Sequence, residues 1–314
     1  LTGGFIKNAV LAAVAQGVQE PSGSVPQITM AHLEQAALDQ TTRPLDGNVP
    51  LVMPKARLCD VVLPPEIRAQ VEEIIDAARN RATVLSRWGI GTHLSYGKGL
   101  SALLSGPPGT GKTLCAEAIA AELNAPLLVV PIQTVLSRWV GQAEKTLAYM
   151  FNLAKTHRAV LLLDEADSLL KERGKDGATR HDDALVNTLL TLMERHDGLA
   201  LLATNLVEHL DPALARRLSY HLSLPSPDAD ARTAIWRRLL PVSVPMASNV
   251  DFAALGGEHR LSGGHIKNAV FKAAFRAARE GGKITQEMLE DAARQESTDF
   301  KQQGRPIGFA GTGR

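Results

Sequence analysis

Cysteine is almost missing from this chain. The two present, Cys59 and Cys115, sit in unrelated contexts, so neither a disulfide framework nor a cysteine-ligated metal site is expected, and each reads as a small buried or half-buried residue. Long apolar runs are also missing. None approaches the roughly 20 residues of a membrane-spanning helix, and no charged-then-apolar leader opens the chain. A reducing cytoplasm is the expected location, with no membrane partner. Nor is either charge in excess. Lys and Arg number 34 against 33 Asp and Glu, a formal net charge of +1, and without a basic stripe this argues against a nucleic-acid partner. What remains is 45% hydrophobic and 21% charged over 314 residues. That is an ordinary globular balance, with room for one large domain or two modest ones.

One stretch organises the rest. Gly106-Pro107-Pro108-Gly109-Thr110-Gly111-Lys112-Thr113 follows the Gly-x4-Gly-Lys-Thr pattern of a phosphate-binding loop. Its glycines let backbone N–H groups turn inward around a polyphosphate. Lys112 is placed to reach β- and γ-phosphates, and the Thr113 hydroxyl to hold Mg²⁺. The flanks agree. Residues 102–105 are short and mostly apolar, as a buried strand is, and Leu114 to Leu123 is rich in Ala, Leu and Glu, as a helix is. That helix opens on the phosphates, where its dipole favours negative charge.

Along the chain, residues 43–58 hold Pro44, Gly47, Pro50 and Pro54 and read as a linker. A helix is expected from about Glu66 to Leu85, strands at 127–130, 160–163, 199–203 and 221–224, and a further helix from Ala184 to Arg195. Residues 171–183 read as a charged loop, and Asp211 to Arg217 as a short helix. From Asp228 the pattern turns helical, near 228–240, 263–280 and 285–296, and the Gly-containing tail 297–314 reads as flexible. Strands alternating with helices imply an α/β fold with a parallel sheet covered on both faces, followed by a small all-helical subdomain.

Val160-Leu161-Leu162-Leu163 runs straight into Asp164-Glu165-Ala166-Asp167. An apolar run ending in acids is the signature of a central parallel strand with a site at its carboxyl end. Asp164 is expected to hold Mg²⁺ opposite Thr113, and Glu165 to polarise an attacking water. Two adjacent acids there are costly to bury without a cation. Asn205, at the end of the neighbouring strand, can orient the water or meet the γ-phosphate. Arg216 and Arg217 can neutralise transition-state charge, on a neighbouring subunit's nucleotide.

The two ends of the chain repeat each other. Leu1-Thr2-Gly3-Gly4-Phe5-Ile6-Lys7-Asn8-Ala9-Val10 matches residues 261–270 at eight of ten positions. Such self-similarity signals duplicated modules, and residues 1–42 read as the last piece of a preceding one.

Taken together, these residues resemble an AAA-type ATPase of the clade that includes katanin and spastin, within a tandem protein. The likeness covers about 56–296. Residues 106–113 match Walker A, 161–165 Walker B and Asn205 sensor 1, while the katanin and spastin pattern puts paired arginine fingers at Arg216 and Arg217. The resemblance implies a P-loop NTPase large subdomain over 59–226 and a helical lid over 227–296. It implies ATP and Mg²⁺ as ligands, with Pro108, Gly109, Thr110, Gly111, Lys112, Thr113 and Leu114 cradling phosphate. Asp60 and Val61 would lie near the adenine, and Gly263 and Gly264 at the lid helix start near base and ribose. His265 follows that Gly pair where the wider superfamily has an arginine. Trp139-Val140-Gly141 is similar to a pore loop that grips polypeptide in a hexameric ring. The implied activity is ATP hydrolysis coupled to remodelling of a protein substrate. The alternative is a nucleotide-dependent assembly switch with slow turnover, in keeping with the Pro-rich linker and the lid remnant.

Overall fold

The computed structural model describes residues 51–93, 99–136, 143–167, 180–206 and 217–303, with eight isolated positions between 7 and 33. Apart from those eight positions, the expectations for 1–42 lie outside the described residues. So do those for Trp139, Val140, Gly141 and the stretch from Asp211 to Arg216.

Three features of the large unit follow directly from the chain. The first strand, β1 (Leu51–Val52), falls inside the stretch read as a linker. It pairs antiparallel with a later strand, and the Lys55 and Ala56 N–H groups both donate to Glu117 Oε1, at 2.8 and 3.2 Å. Prolines separated by apolar residues fit an edge strand as well as they fit a linker. Helix α1 (Pro65–Ala82) starts where Pro at the first helical position pre-sets φ. It buries Val71, Ile74 and Ile75 on one face, and loosens into a π-helical turn over Thr83–Arg87 before Gly89, at φ 75°, reverses the chain.

Strand β2 (Leu100–Ser105) feeds the glycine loop, and α2 (Lys112–Glu122) follows it. Then come β3 (Leu127–Pro131), α3 (Ala143–His157), β4 (Val160–Asp164), α4 (Arg180–Arg195), β5 (Leu199–Thr204) and β6 (Tyr220–Ser223). The sheet order is β1-β3-β4-β5-β2-β6, parallel throughout except at β1. Parallel strands need crossovers, and those crossovers cover both faces with helices. The alternation along each strand shows it. Leu161, Leu163 and Leu202 face a core with Leu147, Phe151 and Leu189, while Leu104, Leu162 and Leu201 face the other, with Ile74, Cys115 and Ile119. All three β4 leucines are 0% exposed. The fold class expected from the alternating pattern is the one observed.

The C-terminal helices α5 (Ala229–Leu239), α6 (Phe252–Glu258), α7 (Gly263–Arg279) and α8 (Gln286–Gln303) close on their own core of Trp236, Leu255, Ile266 and Leu289. Side-chain caps start three of them. Asp228 accepts from Ala231 N at 2.8 Å, Asp251 from Ala253 N at 2.8 Å, and Ser262 from His265 N at 3.4 Å. The short α6 was not separated from its neighbours by periodicity. Helix α8 continues to Gln303, seven residues past its expected end, so the first part of the stretch read as a flexible tail is helical. Among the described residues, no helix is long and apolar enough to cross a membrane.

Candidate functional site

The site is built where strands finish. Strand β2 lies between β5 and β6, while the chain leaving it crosses to β3 on the far side of β4 and β5. Ligands in such sheets bind outside the carboxyl ends at this change of direction. The loop after β2 is fitted to its surroundings by its glycines. A Cβ on Gly106, at φ 148°, would stand 2.1 Å from the Leu224 carbonyl oxygen. One on Gly109, at φ 76°, would stand 2.4 Å from Ser262 Oγ. The second contact belongs to the lid: Gly264 N donates to Gly109 O at 3.1 Å. Gly263 and Gly264 therefore do sit against the loop, as expected, and their smallness is what permits the approach.

Lys112 opens α2 and is buried, with 8% of its surface exposed. Its ammonium donates to Gly106 O at 2.7 Å, Pro107 O at 2.9 Å and Asn205 Oδ1 at 2.9 Å. Those three bonds use all its donors. Burial holds it below the ordinary lysine value, against Asp164 and Asp167, which pull it up. Next to it the Thr113 hydroxyl donates to Asp164 Oδ2 at 2.9 Å. A carboxylate and a hydroxyl side by side at a helix N-terminus are the oxygen donors that a hard cation such as Mg²⁺ takes, with phosphate oxygens and water completing its shell. Pro108, Thr113 and Leu114 are exposed, and Thr110 is half-buried with its hydroxyl on Pro107 O at 2.9 Å.

Glu165 has φ 55°, uncommon for a residue with a side chain. Its own N–H donates to Asp164 Oδ1 at 2.9 Å, and Ala166 N donates to Ala203 O at 2.9 Å. This sharp turn at the end of β4 sends the two adjacent acids in different directions and leaves Glu165 exposed. Strained backbone of this kind clusters at functional sites.

A residue with no role in the sequence reading stands at the centre. The carboxylate of Asp167 accepts from Thr204 Oγ1 at 2.6 Å, Asn205 N at 2.7 Å and Asn205 Nδ2 at 3.0 Å. Burial pushes Asp167 up, but the bonds from Thr204 and Asn205, with the Lys112 charge, more than offset it and leave the carboxyl below the usual aspartate range. The only signal in the sequence was its place three residues after Asp164, beyond the strand.

The other expected residues divide. Val61 is buried, with 4% exposed. Asp60 ends a 3-10 turn (Leu58–Asp60), accepts from Arg57 N at 2.8 Å and forms an ion pair with Arg238 on α5, which ties the start of the large unit to the lid. His265 Nδ1 lies 2.7 Å from Ser262 Oγ. Arg217 is exposed and pairs with Glu194 Oε1 at 3.4 Å. It precedes β6, at the end of the sheet where strands start; six residues of β2 separate that end from the phosphate loop by about 17 Å, at roughly 3.3 Å per residue. Arg217 is thus not brought to its own chain's phosphate loop. Of the cysteines, Cys115 is buried, and burial pushes its thiol up to about 12, an inert value. Cys59 is exposed, unlike the buried or half-buried reading.

Comparison with known proteins agrees with this geometry. Residues 102–226 match the family model "ATPase family associated with various cellular activities (AAA)". The chain is 39% identical over 202 residues to a cell division cycle protein 48 homolog of Archaeoglobus fulgidus, covering 61% of this chain and 27% of that protein. It is 36% identical over 201 residues to a katanin p60 ATPase-containing protein of Xenopus tropicalis, covering 60% of this chain and 37% of that one. It is 32% identical over 250 residues to ATP-dependent zinc metalloprotease FtsH 4 of Sphaerobacter thermophilus, covering 76% of this chain and 37% of that one. These aligned stretches span between 27% and 37% of the relatives' own lengths. On this match and these relatives, the chain belongs to the AAA family of ATPases.

Proposed function

We propose that this chain hydrolyses ATP at a site completed by a second copy of itself in a ring, and that the cycle remodels a protein substrate. The observation that carries the reading is the spatial split of the charged groups. Lys112, Thr113, Asp164 and Asn205 gather at the carboxyl ends of three neighbouring strands, while Arg217 stands at the opposite end of the sheet. Within the site, the loop N–H groups and Lys112 bind the phosphates, after the ammonium exchanges its bonds to Gly106 and Pro107 for phosphate oxygens. Thr113 and Asp164 hold Mg²⁺, which when bound neutralises charge on the β- and γ-phosphate oxygens. Glu165, turned away from Asp164, orients and polarises the attacking water, and Asn205 contacts that water or the γ-phosphate.

Arg216 and Arg217 serve a neighbour's nucleotide. An arginine supplied in trans is worth about 10³–10⁵ in rate. The resemblance of Trp139-Val140-Gly141 to a pore loop supports polypeptide as the substrate, gripped by apolar contact that tolerates any sequence. The names of the relatives, a cell division cycle protein 48 homolog and a katanin p60 protein among them, are in keeping with that class of work.

ATP turnover per protomer, measured over a range of protein concentrations, tests the shared site. Specific activity is expected to rise with concentration. Arg217→Ala is expected to bind ATP yet lose about 10³-fold in kcat, and Lys112→Ala to lose binding. Flat specific activity together with a fully active Arg217→Ala refutes the shared site. Remodelling that survives Trp139→Ala refutes threading.

A further inference from the structure

The Asp167 carboxylate is the most heavily hydrogen-bonded acid at the site, with three donors on two oxygens. Thr204 Oγ1 and Asn205 N converge on Oδ1 at 2.6 and 2.7 Å, and Asn205 Nδ2 meets Oδ2 at 3.0 Å. On its other side the Asn205 amide offers Oδ1 to Lys112 Nζ at 2.9 Å. A carboxylate only accepts and an ammonium only donates, so just one orientation of the amide satisfies both. Turned over, it would set Nδ2 against the ammonium and Oδ1 against the carboxylate, two repulsive contacts in place of two bonds. The backbone bond from Asn205 N keeps the end of β5 from drifting. One Asn205 amide hydrogen remains for a further acceptor, and the residue is exposed enough to meet one.

We propose that Asp167 is a positioning residue that locks the Asn205 amide, so that its remaining N–H recognises the terminal phosphate of a nucleoside triphosphate. This rests on the reading that the chain binds and hydrolyses ATP. An asparagine in place of Asp167 keeps the shape. However, it leaves one of the two acceptor oxygens as a donor and frees the Asn205 amide to turn.

The test titrates the full chain with ADP and with ATPγS, and follows ATP turnover, in wild type and Asp167→Asn. ADP affinity is expected to stay within about twofold, because ADP lacks the group being recognised, while ATPγS binds about tenfold more weakly. The loss in kcat is expected to be about 10²-fold, the size seen when one preorganised donor is removed. Equal weakening of both nucleotides would mean a merely structural role and overturns the proposal, as does an unchanged preference for ATPγS. Should Asp167→Asn not fold, Thr204→Val decides: it removes one anchor from the carboxylate with little change in shape, and a selective loss of about threefold for ATPγS is expected. No selective loss there overturns the proposal. A wild type that turns over no ATP but prefers ATPγS, with the preference lost in the variant, sinks the hydrolysis reading and supports the positioning role. Normal turnover in both proteins does the reverse.

Discussion

Protonation of His196 is expected to make this fold acid-sensitive in a defined window. The ring is buried, with 4% exposed, just after α4, and packs edge-on against Phe151 with ring centroids 5.3 Å apart. Its Nε2 has no hydrogen-bond partner among the described residues. Burial pushes the imidazole from its ordinary 6.5 down to about 4, with Asp197 pulling it up and Arg81 and Lys155 pushing it further down. The unfolded chain therefore binds a proton that the folded chain refuses between these two values. Stability is complete above the unfolded value and falls as pH drops toward the folded one. At 1.36 kcal/mol per pH unit, the loss is about 2 kcal/mol by pH 5 and levels off near ~3.4 kcal/mol below pH 4. Urea unfolding of wild type and His196→Leu, from pH 4.5 to 7.5, measures it. The Asp167 and Asp197 carboxyls are also depressed, but their contributions are lost below the ordinary aspartate value of 3.8, outside the window, and they cancel in the difference. The midpoints are expected to converge as pH falls, the variant losing much less. Parallel curves would refute the buried neutral imidazole.

Two further outcomes test the packing around the site. Gly109→Ala places a methyl 2.4 Å from Ser262 Oγ on a backbone at φ 76°; a stability loss of about 1–3 kcal/mol is expected from the strain, with at least about tenfold weaker nucleotide binding as the lid is displaced. Wild-type affinity by isothermal titration would show that the lid contact has no part in binding. Leu162→Ala empties a side chain that is 0% exposed in the middle of the sheet; a loss of about 2–5 kcal/mol in urea unfolding is expected, and a loss under 1 kcal/mol would mean that the cavity closes by local collapse.

Much of this was legible in the residues themselves. The phosphate loop is one continuous segment, and its chemistry follows from which residue types stand at which spacing. The strands at β2, β4 and β5 announced themselves because burial on both faces demands uninterrupted apolar runs. Other elements were misread for equally physical reasons. At β1, two residues paired to an edge carry too little periodicity to stand out among prolines. Asp167 lies in the same acidic string as Asp164 and Glu165, yet nothing local distinguishes an acid that meets a distant strand end from one that faces water.

The sequence by itself determined the phosphate chemistry, the parallel α/β class, the helical C-terminal unit and the acids and amide available to a site. These depend on composition and period within short windows, where the chain's own neighbours set the physics. The tertiary structure alone decided who meets whom. Thr113 reaches Asp164 across 51 positions, Lys112 reaches Asn205 across 93, and Asp167 takes hold of Thr204 and Asn205 across 37 and 38. Strand order also sent Arg217 to the end of the sheet away from its own phosphate loop. Such pairings depend on which strands lie side by side, a choice made by burying both faces of the whole sheet at once, and no local window contains it.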